Sequence, residues 1–310
     1  MRFLDEKTDF ITDLSILSKL PWNIFISTLI RRSFSLNWFR PLILTLITIL
    51  LLLLSEYSAI QGYVANTLIF IGLIAVGIPH GAVDHLLETG SWDVKKAPLF
   101  IIKYLCLALI MGVLWYAFPL IALIVFLAYS SWHFGQADGK NWSLPAFSST
   151  IWGASVLFHI LGSHLSETNA ILSAMGNLAL PISSPQWLLL PWLIVAILRK
   201  KTAFILTIFW LLLSTKLPLL ISFGIYFLGQ HSLTGWYDLK NHLKLSNSKL
   251  WMKSLPFHSA AWIFLTCFLF FWTSSYPFDE TKRSAAFFIF IACISFPHAI
   301  YMNFVYNSKK

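Results

Sequence analysis

Four of the nine histidines in this chain sit in three short polar motifs inside otherwise apolar sequence. The first motif reads Gly77-Ile-Pro-His80-Gly-Ala-Val-Asp84-His85 and the second Ser131-Trp-His133-Phe-Gly-Gln136-Ala-Asp138. The third is Tyr226-Phe-Leu-Gly-Gln230-His231-Ser232, and Pro297-His298 follows near the C-terminus. Imidazole is a common metal ligand, and histidines from several helices of a bundle can converge on one ion. A ligating histidine passes its second N–H to a carboxylate or carbonyl, which fixes the tautomer. Asp84 lies one helical turn after His80, and Asp138 follows His133 closely. Either aspartate could serve as that supporting partner. Nitrogen ligation without thiolate suits iron, copper, zinc or nickel.

The remaining candidates carry less. His159, His164, His242 and His258 lack polar, glycine-flanked surroundings and read as structural or loop residues. Ser232 has no nucleophile elbow around it. Cys106, Cys267 and Cys293 lie singly in apolar runs, which implies helix packing rather than a disulfide framework.

These motifs need elements to hold them, and composition restricts the choice. Hydrophobic residues make up 57% of the 310 and charged residues only 11%, against about a quarter charged in soluble domains. Mean hydropathy is +0.73. Backbone in hydrocarbon must be hydrogen-bonded within the structure, which leaves helices or closed barrels. Runs such as Leu42 to Leu54 are continuous rather than alternating, so the spans are helices. The expectation is an all-α, polytopic transmembrane bundle over residues 38–310, preceded by an amphipathic, interfacial N-terminal segment over 1–37. That polar, acidic start is expected to hold no cleavable signal peptide. A net charge of +9 could suggest nucleic acid, but basic residues beside apolar runs report membrane topology more simply.

Ten apolar segments follow, near 41–58, 63–80, 98–117, 119–134, 150–163, 178–198, 202–214, 217–235, 257–275 and 285–306. Those at 119–134, 150–163 and 202–214 fall short of the roughly 20 residues a straight span needs, so eight to ten spans are expected. With both termini inside, eighteen Lys and Arg fall on inner segments and three (Lys216, Lys282, Arg283) on outer ones. That bias predicts a multi-pass protein of a bacterial inner membrane with cytoplasmic termini. It also sets the motifs of His80, His133 and His231 at the inner ends of their spans. Ionisable residues at such depth are costly and usually functional. A site among lipid-embedded helices favours a lipophilic substrate that arrives sideways from the bilayer. Residue chemistry therefore reaches a membrane metalloprotein, with an oxygenase among its readings. A b-type haem would need axial histidines across the bundle, which motifs on one face do not supply. No substrate-contacting residue stands out beyond aromatic residues that could line a cavity.

Taken together and in order, these motifs resemble the Brp/Blh family of bacterial and archaeal membrane β-carotene 15,15'-dioxygenases, from about residue 65 to the C-terminus. The resemblance implies Fe(2+)-dependent cleavage of the central double bond of β-carotene, or a related carotenoid, by O2 to give two molecules of retinal. It implies that His80, His133 and His231 are iron ligands. The family pattern has a second histidine four residues after the one matching His231, and here that position is Gly235. His298, in the late Pro-His motif, is then the leading fourth ligand, with His85 and His242 as alternatives. Gly235 also supports a different expectation: a non-catalytic member that binds retinal or a carotenoid, or assists assembly of a retinal-bearing membrane partner.

Overall fold

The computed structural model describes residues 39–90, 95–176, 185–273 and 279–307. The segment 1–37, expected to lie at the interface, is outside them. No strand occurs among the described residues; the chain is an all-α, multi-pass bundle. Its helices are α1 (Phe39–Leu53), α2 (Ser58–Gly72), α3 (Ile78–Gly81), α4 (Asp84–Thr89), α5 (Ala97–Ala117), α6 (Pro119–Trp142) and α7 (Ala146–Ser163). Then come α8 (Leu165–Ala174), α9 (Leu190–Leu198), α10 (Thr202–Ser214), α11 (Leu219–Gly224), α12 (Leu233–Leu243), α13 (Asn247–Thr273) and α14 (Glu280–Asn307). Wide π-helical turns join α2 to α3 (Leu73–Gly77) and α11 to α12 (Ile225–Ser232).

Five described helices are long and apolar enough to cross a membrane: Ser58–Glu88, Ala97–Ala117, Pro119–Trp142, Asn247–Phe271 and Glu280–Asn307. Three shorter apolar helices, Phe39–Leu53, Trp187–Leu198 and Thr202–Ser214, accompany them. The run near 217–235 is broken by its wide turn. In contrast, α6 outgrows the expected 119–134 segment. Pro119 starts it where a missing N–H costs nothing, and it continues through the polar stretch to Trp142. Leu105, Leu109 and Tyr116 of α5 are exposed. Exposed apolar side chains of this kind suit contact with lipid rather than water.

The extension of α6 depends on close packing against α7. A Cβ at Gly135 would lie 2.0 Å from the Ser149 carbonyl oxygen, and one at Gly153 would lie 2.0 Å from that of Ser131. Only glycine permits that approach. Next to this seam Trp142 stacks on Phe204 at 4.0 Å, and Trp152 meets both rings edge-on at 4.9 Å. This aromatic block locks α6, α7 and α10 together and fixes the depth at which α6 presents His133.

Pro297 lies inside α14 and withdraws the N–H that the Cys293 carbonyl would otherwise receive. Phenols brace the helix on either side. Tyr129 donates to the Ala292 carbonyl (2.7 Å) and Tyr104 to that of Ile294 (3.0 Å).

Gly153→Ala is expected to destabilise the protein by about 1–3 kcal/mol, because its methyl group must displace backbone. Thermal unfolding in detergent would check this. An unchanged midpoint would show that the α6–α7 seam is not tightly packed.

Candidate functional site

Each candidate histidine is carried by a different element. His80 is in α3 directly after one π-helical turn, and His231 is inside the other. His133 lies on α6, and His298 follows the proline of α14. Wide turns insert a residue into the helical register and are common at functional sites. Here they rotate His80 and His231 inward. The two turns also meet, since Gly72 and Gly77 admit Leu228 so closely that a Cβ on either would lie within 2.8 Å of it.

The four rings gather. Ring centroids are 4.7 Å apart for His80–His298 and His133–His231, 5.1 Å for His133–His298 and 5.7 Å for His80–His231. All four are buried. His80 Nδ1 faces the carbonyls of Val76 (3.1 Å) and Gly77 (2.5 Å), which only accept, so Nδ1 carries the proton. His298 Nδ1 faces both oxygens of Asp84 at 3.0 Å, with the same result. The Nε2 atoms of both rings lie on the side away from these contacts, and neither has a hydrogen-bond partner among the described residues. Both nitrogens of His133 and Nδ1 of His231 are likewise buried and unpartnered. Buried polar atoms are nearly always hydrogen-bonded. A cluster of exceptions in one place marks a missing partner.

A cation is the partner this chemistry suits. Metal–nitrogen bonds of about 2.1 Å would set neighbouring imidazole centroids roughly 4.5–5 Å apart, close to the separations here. The arrangement of the nitrogens is looser than that of the rings: among the described residues, no three His, Cys, Asp or Glu side chains stand as a group that could hold an ion. The residue set thus fits a metal, while the rings stand edge to face.

The aspartates differ from a simple pairing with the histidine before each. Asp84 holds His298 rather than His80. Asp138 accepts from Trp152 Nε1 (2.9 Å), Tyr226 OH (3.1 Å) and Gln230 Nε2 (2.8 Å), none of them a histidine. Its carboxylate ties α6 to α7 and to the wide turn bearing His231. Thr234, one turn on, donates to the Gln230 carbonyl (2.6 Å) and receives Arg40 of α1. The roles of Gln230, Trp152 and Tyr226 were not evident from sequence. The signal that could have found them is that amide, indole and phenol groups stand at membrane depth, where polar groups need partners.

A cavity of about 1040 Å³ opens beside the cluster, at the upper end of the usual range for ligand sites. All four histidines line it, and its other walls are mainly apolar, including Phe100, Trp115, Phe126, Phe227 and Phe264. Leu105, Leu109 and Tyr116 line it while also being exposed on the bundle's side. The cavity therefore opens laterally along α5.

Residues 71–306 match the family model described as beta-carotene 15,15'-dioxygenase. The chain belongs to this family. One relative, named beta-carotene 15,15'-dioxygenase, comes from uncultured marine bacterium 66A03. It is 26% identical over 258 residues, covering 76% of this chain and 92% of the relative. No solved structure matches the chain. The family match spans all four clustered histidines and both wide turns, and membership of a carotenoid dioxygenase family agrees with an apolar cavity entered from the side.

Within this family member, Gly235 points into the cluster. A Cβ there would lie 3.2 Å from His80 Cδ2. Position 235 therefore faces the site although it carries no ligand. His298 supplies the fourth imidazole of the group. His85 instead lies tilted against Phe257 at 4.8 Å, and His242 is exposed on α12. His159 bonds the Leu211 carbonyl (3.3 Å), His164 lies between those of Ile160 and Leu217, and His258 receives the Trp262 N–H (2.8 Å). His159 and His164 tie the α7 end of the bundle to α10 and the residues after it, whereas the His258 bond lies within α13.

Asp138→Leu strands three buried donors and should cost about 3 kcal/mol or more, at 1–3 kcal/mol for each. Tyr226→Phe, which removes a single donor, should cost about 1 kcal/mol. Denaturation in detergent measures both, and equal losses would refute the shared-acceptor account.

Proposed function

We propose that this protein is an iron-dependent membrane dioxygenase that cleaves the central double bond of β-carotene, or a closely related carotenoid, with O2 to give two molecules of retinal. The observation that carries this reading is the convergence of four buried imidazoles with unpartnered nitrogens on the wall of a long apolar cavity. His80, His133, His231 and His298 would hold Fe(2+), which supplies the centre where O2 is activated. The chain's own residues do the rest. Asp84 and the carbonyls of Val76 and Gly77 hold two imidazoles by their Nδ1–H groups, leaving Nε2 as donor. Asp138, through Gln230 and Tyr226, holds the turn that bears His231. The aromatic walls exclude water and orient the polyene, and the lateral opening admits substrate from lipid. The positive-inside bias supports a bacterial inner membrane with the histidine end toward the cytoplasm.

Gly235 favours a second reading, in which the cavity binds a carotenoid or retinal without cleaving it, or the protein serves a retinal-bearing partner. Expression in cells that make β-carotene separates the two. The catalytic reading expects retinal from the unaltered protein and iron in the purified preparation. It expects no gain from Gly235→His, whose side chain would press on His80. Iron-loaded protein that leaves β-carotene intact, and gains cleavage with Gly235→His, would establish the second reading instead.

Asp84→Asn should lower iron affinity about 10–100-fold by weakening the hold on His298, as read by competition with a chelator. Unaltered affinity would remove His298 from the ligand set.

A further inference from the structure

The histidines occupy one end of the cavity rather than its middle. Along α6 the lining runs from His133 back to Pro119, fourteen positions or about 21 Å of helix rise. Along α5 it runs from Phe100, near the cluster, to Tyr116. Trp115, Pro119, Phe126, Met175 and Gly176 line the far end. It is a deep apolar sleeve with aromatic walls, suited to a bulky hydrocarbon end group on a long, straight chain.

Between the two ends stands Gly112. It lines the cavity from α5, and an added Cβ would meet only the Sγ of Cys293 across the gap, at an ordinary 3.7 Å. That separates it from Gly135 and Gly153, where backbone of the facing helix forbids any side chain. Glycine inside a helix costs about 1 kcal/mol relative to alanine, and packing does not require it here. What the missing side chain leaves bare is the cavity wall beside Cys293, about one helical turn short of the far end.

Building on the carotenoid reading above, we infer that Gly112 determines substrate length: the sleeve from the histidines to its far end receives one ring-bearing arm, and the bare wall at 112 lets the ring of that arm reach the last turn of α5. A side chain of any size there would shorten the measured arm. Substrates with two full arms would then be excluded, while a polyene truncated at one end would still enter with its short end inward.

The test compares the full-length chain with Gly112→Phe and, from the opposite wall, Cys293→Phe. Each is supplied with β-carotene and with an apocarotenal that keeps a single ring. Two quantities are read: pigment retained by the purified protein, and aldehyde product formed. Either substitution should reduce retention and cleavage of β-carotene about tenfold or more and change those for the truncated polyene much less. Equal losses on both substrates, or no loss on either, would overturn the inference. Unaltered protein that retains β-carotene without cleaving it would defeat the catalytic reading alone, because retained pigment still reports the arm length. Unaltered protein that retains and cleaves neither polyene would overturn both.

Discussion

Four imidazoles buried in an apolar bundle set a demand that shapes the rest of this structure. A polar group taken from water without a compensating hydrogen bond costs roughly 1–3 kcal/mol in proteins. In this cluster several nitrogens lack that compensation. The bundle meets part of the cost by tying Nδ1 of His80 to backbone carbonyls and Nδ1 of His298 to Asp84. Those ties also decide which nitrogens face the common centre. Stability and chemistry thus rest on the same bonds.

Regular helices would not bring the rings together. His80 and His231 reach the centre because wide turns change their register, and His298 follows a proline that interrupts α14. Each irregularity frees or displaces backbone groups that lipid cannot satisfy. Leu228 fills the space between the two turns, and Tyr104 and Tyr129 reach carbonyls around the proline. Asp138 collects three donors from α7 and the second turn. The broken segments are covered by protein, as non-helical geometry at membrane depth must be.

The cavity follows from the same arrangement. The apolar space beside the histidines runs toward the opposite end of α6, and exposed residues of α5 line its side. An aqueous substrate would gain little from such a route, whereas a polyene already dissolved in lipid reaches it without crossing water. Membership of a carotenoid dioxygenase family and this shape agree with each other.

Much of this was legible in the residues themselves. Continuous apolar runs and few charges were enough for an all-α membrane bundle, since lipid leaves the backbone no alternative. Polar, glycine-flanked histidine motifs marked the site because such groups are expensive at that depth. What sequence spacing could not supply was contact between segments far apart in the chain. It suggested Asp84 for His80, one turn away, but the fold sets that carboxylate against His298, 214 residues later. It left His85, His242 and His298 as alternatives for the fourth imidazole, and only packing brings His298 alongside the others. The reach of α6, the wide turns and the emptiness around Gly112 were hidden for the same reason. Each depends on the distance between two surfaces, and a linear chain records the surfaces without recording their separation.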